Sequence, residues 1–270
     1  MEPLSLLRPL TTLSPISPFP LHQYISQSHK PYLHAHCFRV SSFFSQSSNS
    51  IRPTTSAASR SEYKPAIFDG LLLNLFRKKM VLEVGWDSEK SGYDGLIEVA
   101  TRLTMKGKTS SETVEAAVRI LESLFPPMLL KLYRMLIAPI REGKFAAIMV
   151  ARVTAVSCQW LMGPCTVNSV DLPDGSSCSS GVFVERCKYL EESKCVGICI
   201  NTCKLPTQTF FKDYMGVPLL MEPNFEDYSC QFSFGVHPPL PLDDSTLKEP
   251  CLEICPNAKQ RRGSKQCPKA

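Results

Sequence analysis

Thr166-Val-Asn-Ser-Val-Asp-Leu172, Pro173-Asp-Gly-Ser-Ser177 and Gly181-Val-Phe-Val-Glu-Arg-Cys187 together decide the fold class. Two short β-leaning runs flank a link made of turn formers, which predicts a hairpin. The stretch from Leu96 to Met162, before Gly163-Pro164, reads as three or four helices. Leu96, Val99, Ala100 and Leu103 recur at helical spacing. Thr109-Ser-Ser-Glu112 is a capping-box pattern ahead of Val114, Ala117, Val118, Leu121 and Leu124. Pro126 and Pro127 stop that helix, and Met128 to Ile137 makes another. Phe145 to Met162 is the most apolar helical stretch, but Arg152 interrupts it, so its apolar runs are too short to span a bilayer. It reads as a core helix, with a membrane-dipping helix as the alternative. After the hairpin, helix is expected from Lys188 to Cys203 and again from Gln208 to Tyr214. The remainder, with Pro218, Pro223, Pro238, Pro239, Pro241 and Pro250, reads as loop held by contacts or by metal. The expectation is an α+β fold: a helical front half followed by a β-hairpin and a Cys-rich helix/loop region.

The amino end has a different texture. From Met1 to Arg60 the only acidic residue is Glu2, while serine and proline are abundant. A Ser-rich, acid-poor leader reads as an organelle transit peptide, and the scarcity of arginine favours a plastid. Residues 1–60 are therefore expected to be a disordered transit peptide, 61–92 a linker, and 93–270 one domain whose Cys-rich part is 158–255. Within the linker, Leu71-Leu-Leu-Asn-Leu-Phe76 would dock on the domain or on a membrane surface. Without the leader the chain holds 25 basic and 24 acidic residues, so nucleic-acid binding has no electrostatic support. Four of the five histidines fall in the leader; His237 alone remains. That excludes, within one mature chain, a His-rich metal site or a two-histidine mechanism.

Sulfur is the richest signal. Cys195-Val-Gly-Ile-Cys199-Ile-Asn-Thr-Cys203 spaces three thiols four apart, which puts them on one side of a helix. Cys187 precedes them; Cys230, Cys251 and Cys255 follow. Three readings stand. A disulfide framework needs an oxidising compartment, to which the leader does not point. Zinc is permitted, although the x3 spacing is wider than the usual paired knuckle. Iron, as an iron–sulfur cluster or a thiolate-bound ion, suits soft thiolates. An unbroken helix would hold Cys195 and Cys203 about 12 Å apart. Either the helix breaks near Gly197 or Asn201, or the ladder binds with partners from Cys187, Cys230, Cys251 or Cys255. Glu185, Glu222, Asp227 and His237 are weaker oxygen and nitrogen candidates.

Several linked motifs then resemble one family. Cys187-Lys-Tyr-Leu-Glu-Glu-Ser-Lys-Cys195-Val-Gly-Ile-Cys199, Cys203-Lys-Leu-Pro-Thr-Gln-Thr-Phe210, Gly216-Val-Pro-Leu-Leu-Met-Glu-Pro223, Asp227-Tyr-Ser-Cys230 and Pro250-Cys-Leu-Glu-Ile-Cys255 are similar, in that order, to the plant Dwarf-twenty-seven family. The match runs from about Trp160 to Cys255, and more loosely back to Tyr93. Trp160-Leu-Met-Gly-Pro164-Cys165 resembles the paralogous branches of that family. The resemblance implies a plastid isomerase, peripheral to the envelope or thylakoid membrane. It would interconvert all-trans- and 9-cis-β-carotene, or another cis isomer, on the way to strigolactones or apocarotenoids. It implies iron as cofactor and Cys187, Cys195, Cys199, Cys203, Cys230, Cys251 and Cys255 as the cofactor-binding set. Cys195, Cys199, Cys203 and Cys230 are then the metal ligands, with Glu185 and His237 as weaker ones. Cys158, Cys165, Cys178 and Cys267 fall outside the family's pattern. The partners implied are a carotenoid substrate and the plastid membrane surface.

The absence of a recognisable hydrolytic triad or Gly-rich nucleotide loop agrees with double-bond isomerisation, which removes no group from its substrate. No individual catalytic residue is assigned by the sequence. Two rivals from other classes remain: a non-catalytic iron–sulfur electron carrier, and a carotenoid-binding module stabilised by zinc or disulfides.

Overall fold

The computed structural model describes residues 68–107 and 109–255. The expected transit peptide over 1–60 and Cys267 lie outside the described residues. Helices α1 (Asp69–Val84), α2 (Gly92–Lys106) and α3 (Ser110–Ser123) form the front. The face of α2 expected from its spacing is the buried one: Leu96, Val99, Ala100 and Leu103 are at most 3% exposed. Burying each such large aliphatic side chain stabilises the fold by roughly 1.5–3 kcal/mol. Thr109 caps α3 as its pattern predicts, its side chain accepting from the Glu112 backbone N–H at 3.2 Å. The buried stripe of α3 is turned slightly from the expected one. Thr113, Ala116 and Ile120 join Ala117 and Val118 inside. Residues 69–84, within the expected linker, form α1. That helix docks on the domain through Met80 and Val84, and Phe76 meets Trp160 edge-on at 5.7 Å.

Helix α4 (Pro127–Leu136) leads through a tight 3₁₀ turn at Ile140–Gly143 to α5 (Lys144–Ser157) and the short α6 (Gln159–Met162). The long apolar helix expected over 145–162 is thus divided at Cys158. Ala146, Ala147, Val150, Ala151 and Ala155 of α5 are buried. Small side chains on that face let the helix lie close to the sheet, which supports the core reading of this segment. Among the described residues no helix is long and apolar enough to cross a membrane.

The hairpin forms as expected, with β1 (Cys165–Asp171) antiparallel to β2 (Ser177–Val184). The presumed loop after residue 215 is a correction. It contains β3 (Leu219–Pro223) and β4 (Cys230–Phe234), which complete a four-stranded antiparallel sheet in the order β1-β2-β4-β3. Prolines hid these strands, yet Pro223 is the last residue of the edge strand β3, where a missing ladder donor is tolerated. Gly181 sits mid-sheet because Asn168 and Gln231 clasp amides from the strands on either side of β2, at 2.8 and 3.1 Å. A Cβ at Gly181 would stand 2.1 Å from the Asn168 Oδ1. The outcome is an α+β fold with a helical front and two apolar clusters. One cluster lies among α1, α2 and α3; the other lies between α5 and the sheet.

Candidate functional site

The Cys-rich helix is neither one α-helix nor broken where expected. Helix α7 (Lys188–Ser193) ends at Lys194, which takes the left-handed conformation (φ 49°), and Cys195 is extended. A continuous helical rod then runs over 196–214: α8 (Val196–Ile198), a π-helical turn Cys199–Lys204, α9 (Leu205–Thr209) and a second π-helical turn Phe210–Tyr214. Leu205-Pro206 does not interrupt it. Proline at the start of α9 lacks an N–H where a π turn already shifts the bonding register.

This geometry sorts the ladder. Residues four apart overshoot a full circle on an α-helix but fall short of one on a π turn, so Cys199 and Cys203 present differently from Cys195. Cys203, together with Cys187, packs against both apolar clusters, at the seam between the helical layer and the sheet. Cys230 enters the same place as the first residue of β4, paired with Val184 and Pro223. Cys187 precedes the first turn of α7, and its backbone N–H donates to Tyr228 O at 2.7 Å. Burial pushes all four thiols up in pKa, Cys203 to about 12, and neighbouring cysteines add to the rise at Cys199, Cys203 and Cys230. Cys199 feels Cys203, Cys230 and Cys187; Cys203 feels Cys187 and also Cys158; Cys230 feels Cys187 and Cys203. Two features oppose the rise. The N–H groups of Leu190 and Tyr189 at the start of α7 favour the Cys187 thiolate, and the charge of Lys204 favours those of Cys199 and Cys230.

Lys204 is a buried cation, 1% exposed. Its Nζ donates to Asp244 Oδ2 at 2.6 Å and to the Thr246 hydroxyl, and Thr246 in turn donates to Asp244 Oδ1 at 2.6 Å. Burial alone would raise the Asp244 pKa, but the bonds from Lys204 and Thr246 hold it below the ordinary carboxylate value. A cavity of about 550 Å³ opens beside this triad, lined by Glu222, Glu226, Asp243 and Glu249. Its walls are too acidic to suit a hydrocarbon. Two tyrosines complete the surroundings, Tyr189 buried and Tyr93 partly buried. Tyr189 shares a hydrogen bond with Thr202 at 2.8 Å, and Tyr93 donates to Leu161 O at 2.6 Å beneath the Lys188 ammonium.

The other sulfur candidates lie elsewhere. Cys195 and Cys255 are buried in the helical cluster, and Cys251 is exposed. Glu185, Glu222, Asp227 and His237 are all exposed. Of the set implied by resemblance, Cys187, Cys199, Cys203 and Cys230 act on one another electrostatically at the seam, Cys195 and Cys255 are buried in the helical cluster that Cys187 and Cys203 also touch, and Cys251 is exposed. Cys158, at the division between α5 and α6, joins the group from outside that set; its neighbour Cys165 is pushed up to about 11 by burial and by Cys158. Cys158 carried no sequence signal. Lys204 carried one, its place next to Cys203, but a buried lysine cannot be told from a solvated one by position. Among the described residues, no three of His, Cys, Asp or Glu stand in metal-holding geometry. The donor chemistry nonetheless fits a soft metal. Burial favours the protonated form of the seam thiols, and a metal cation there would replace those protons and supply the charge that thiolates need.

The family described as "Beta-carotene isomerase D27-like, C-terminal" matches residues 160–244. The chain is 37% identical over 193 residues to the chloroplastic beta-carotene isomerase D27 of Medicago truncatula, across 72% of this chain and 75% of that protein. The chain belongs to the D27 family. The corresponding Arabidopsis thaliana protein is 32% identical over 210 residues, across 77% and 78% of the two chains. No solved structure matches. The D27-like segment begins at Trp160 and ends at Asp244. It therefore contains the four seam thiols together with both members of the buried ion pair, and it leaves out Cys251 and Cys255.

Proposed function

We propose that this protein is a plastid carotenoid isomerase that interconverts all-trans-β-carotene and a cis isomer, with iron held by Cys187, Cys199, Cys203 and Cys230. The single observation that carries the reading is that the segment matching the D27-like family, residues 160–244, holds Cys187, Cys199, Cys203 and Cys230 together with the buried Lys204–Asp244 pair. The chloroplast is the compartment that the names of both relatives give.

Rotating a polyene double bond requires a momentary loss of bond order. Iron, when bound, would supply one-electron exchange with the polyene. The chain's own residues prepare the place for it. The apolar clusters on either side of the seam exclude water, which preserves charged or radical species from side reactions. Lys204, oriented by Asp244 and Thr246, lowers the cost of thiolates at Cys199 and Cys230. The start of α7 does the same at Cys187 through its backbone N–H groups. The hydroxyl of Tyr189 is engaged with Thr202 and that of Tyr93 with Leu161 O, so neither is spare for acid–base work in this arrangement.

The decisive measurement uses protein purified without oxygen and given all-trans-β-carotene in detergent. Chromatography should show cis isomers forming without an external electron donor, and elemental analysis should show iron. An iron-containing preparation that leaves the isomer ratio unchanged rules the activity out. Full turnover by metal-free protein rules out the iron assignment.

A further inference from the structure

Helix α4 has two apolar faces, and the fold uses only one. Leu130, Tyr133 and Ile137 point inward: Leu130 is buried, and the other two pack against the sheet cluster. Met128, Leu129, Leu132, Met135 and Leu136 make a second stripe at i, i+1, i+4, i+7 and i+8, all exposed, with Leu136 at 63%. Ile140 and Phe145 extend the exposed apolar surface past the helix. Between Pro127 and Phe145 the chain carries four cations, Lys131, Arg134, Arg141 and Lys144, against one acid, Glu142, and Lys144 is paired with Asp174. Lys131 flanks the stripe, while Arg134 lies further round the helix towards the body, where it donates to the backbone carbonyl of Asp213.

We infer that this outer face of α4 lies in the headgroup region of an anionic lipid bilayer. A helix of 10 residues is too short to span the hydrocarbon. Lying in the interface, it buries aliphatic side chains below the headgroups while lysine and arginine reach up to phosphate. Charge decides against a second copy of this chain. An antiparallel two-fold contact through the stripe would bring Lys131 of one copy towards that of the other, whereas acidic headgroups neutralise it. The purpose of the contact rests on the isomerase reading, because a C40 hydrocarbon is delivered from a membrane; the contact itself can be tested without that reading.

The test is flotation of the full chain with phosphatidylcholine vesicles, with and without phosphatidylglycerol. The wild type should float with the anionic vesicles. Leu132→Glu combined with Leu136→Glu should lower the partition coefficient by at least about tenfold while leaving the thermal melt unchanged. Met128→Gln with Met135→Gln tests the same face with less disturbance, should the first pair shift the melt. Lys131→Gln should cost about fivefold, and only with phosphatidylglycerol present. Equal flotation of wild type and both double variants overturns the inference, as does failure of the wild type to float. A wild-type dimer in sedimentation that Leu132→Glu dissociates also overturns it, in favour of self-association. Isomerisation in detergent separates this inference from the one it rests on. Normal detergent turnover in a variant that no longer floats supports the docking face, whereas vesicle binding without turnover anywhere sinks the isomerase reading alone.

Discussion

Both apolar clusters of this molecule contain buried cysteine, but in different company. Cys195 and Cys255 lie in the helical cluster among Leu96, Val99, Leu103 and Ile198. Cys187 and Cys203 touch that cluster too but also pack against the sheet cluster, and with Cys199 and Cys230 they lie near enough to act on one another electrostatically, beside a buried lysine. Burial alone therefore does not mark a site, because free cysteine behaves as a small hydrophobe in many cores. A cluster of buried thiols beside a cation that eases their ionisation does mark one, because a soft metal can replace the protons that burial keeps on the sulfurs.

The largest effect should come from the cation. Lys204→Met leaves Asp244 buried without its partner, which costs about 3–5 kcal/mol. Urea unfolding of the full chain measures this. The double variant Lys204→Met/Asp244→Asn should recover a large part of the loss; no recovery would show that the lysine acts through packing instead. Acid has a related effect with a defined sign. The folded-state pKa of Asp244 is depressed, so the ion pair's contribution is complete above the unfolded value of about 3.9. It is lost as pH falls below that value and through the folded one. Wild type should therefore lose stability more steeply than Lys204→Met below about pH 4.

Next in size is the thiol group itself. Cys199→Ser and Cys203→Ser should each remove iron and lower isomerase turnover by at least about a hundredfold, since even outer-shell changes at metal sites cost 10–100-fold. Elemental analysis and isomer chromatography on the same preparation check the two together. Full iron content in both variants would dissolve the distinction between seam and helical cluster.

Parts of this arrangement were legible in advance, and the reasons are local. The hairpin was readable because Pro173-Asp-Gly175 is turn chemistry between two β-branched runs. Helix α2 was readable because its buried residues keep one period. Strands β3 and β4 were not, because Pro218 and Pro223 bracket the first of them and each has only five residues. The thiol ladder was legible as a cluster but not as a site. Its division depends on the left-handed Lys194 and on a π turn over Cys199–Lys204, and neither follows from spacing counted on an α-helix. Lys204–Asp244 joins residues 40 apart across a proline-rich stretch, a separation at which periodicity carries no information.

The smallest effect is the sharpest control. Cys195 belongs to the same even ladder as Cys199 and Cys203, so a reading by spacing alone treats the three as equivalent. Cys195 precedes the helical rod and is buried at 2% exposure in the helical cluster. Cys195→Ala should therefore act as a modest core truncation, costing roughly 1–2 kcal/mol, with iron content and turnover close to wild type. Thermal melting measures the first, and the paired metal and isomer assays measure the second. Loss of iron in Cys195→Ala with an unshifted melt would mean that the ladder acts as one unit, and that the left-handed turn at Lys194 rearranges when the metal binds.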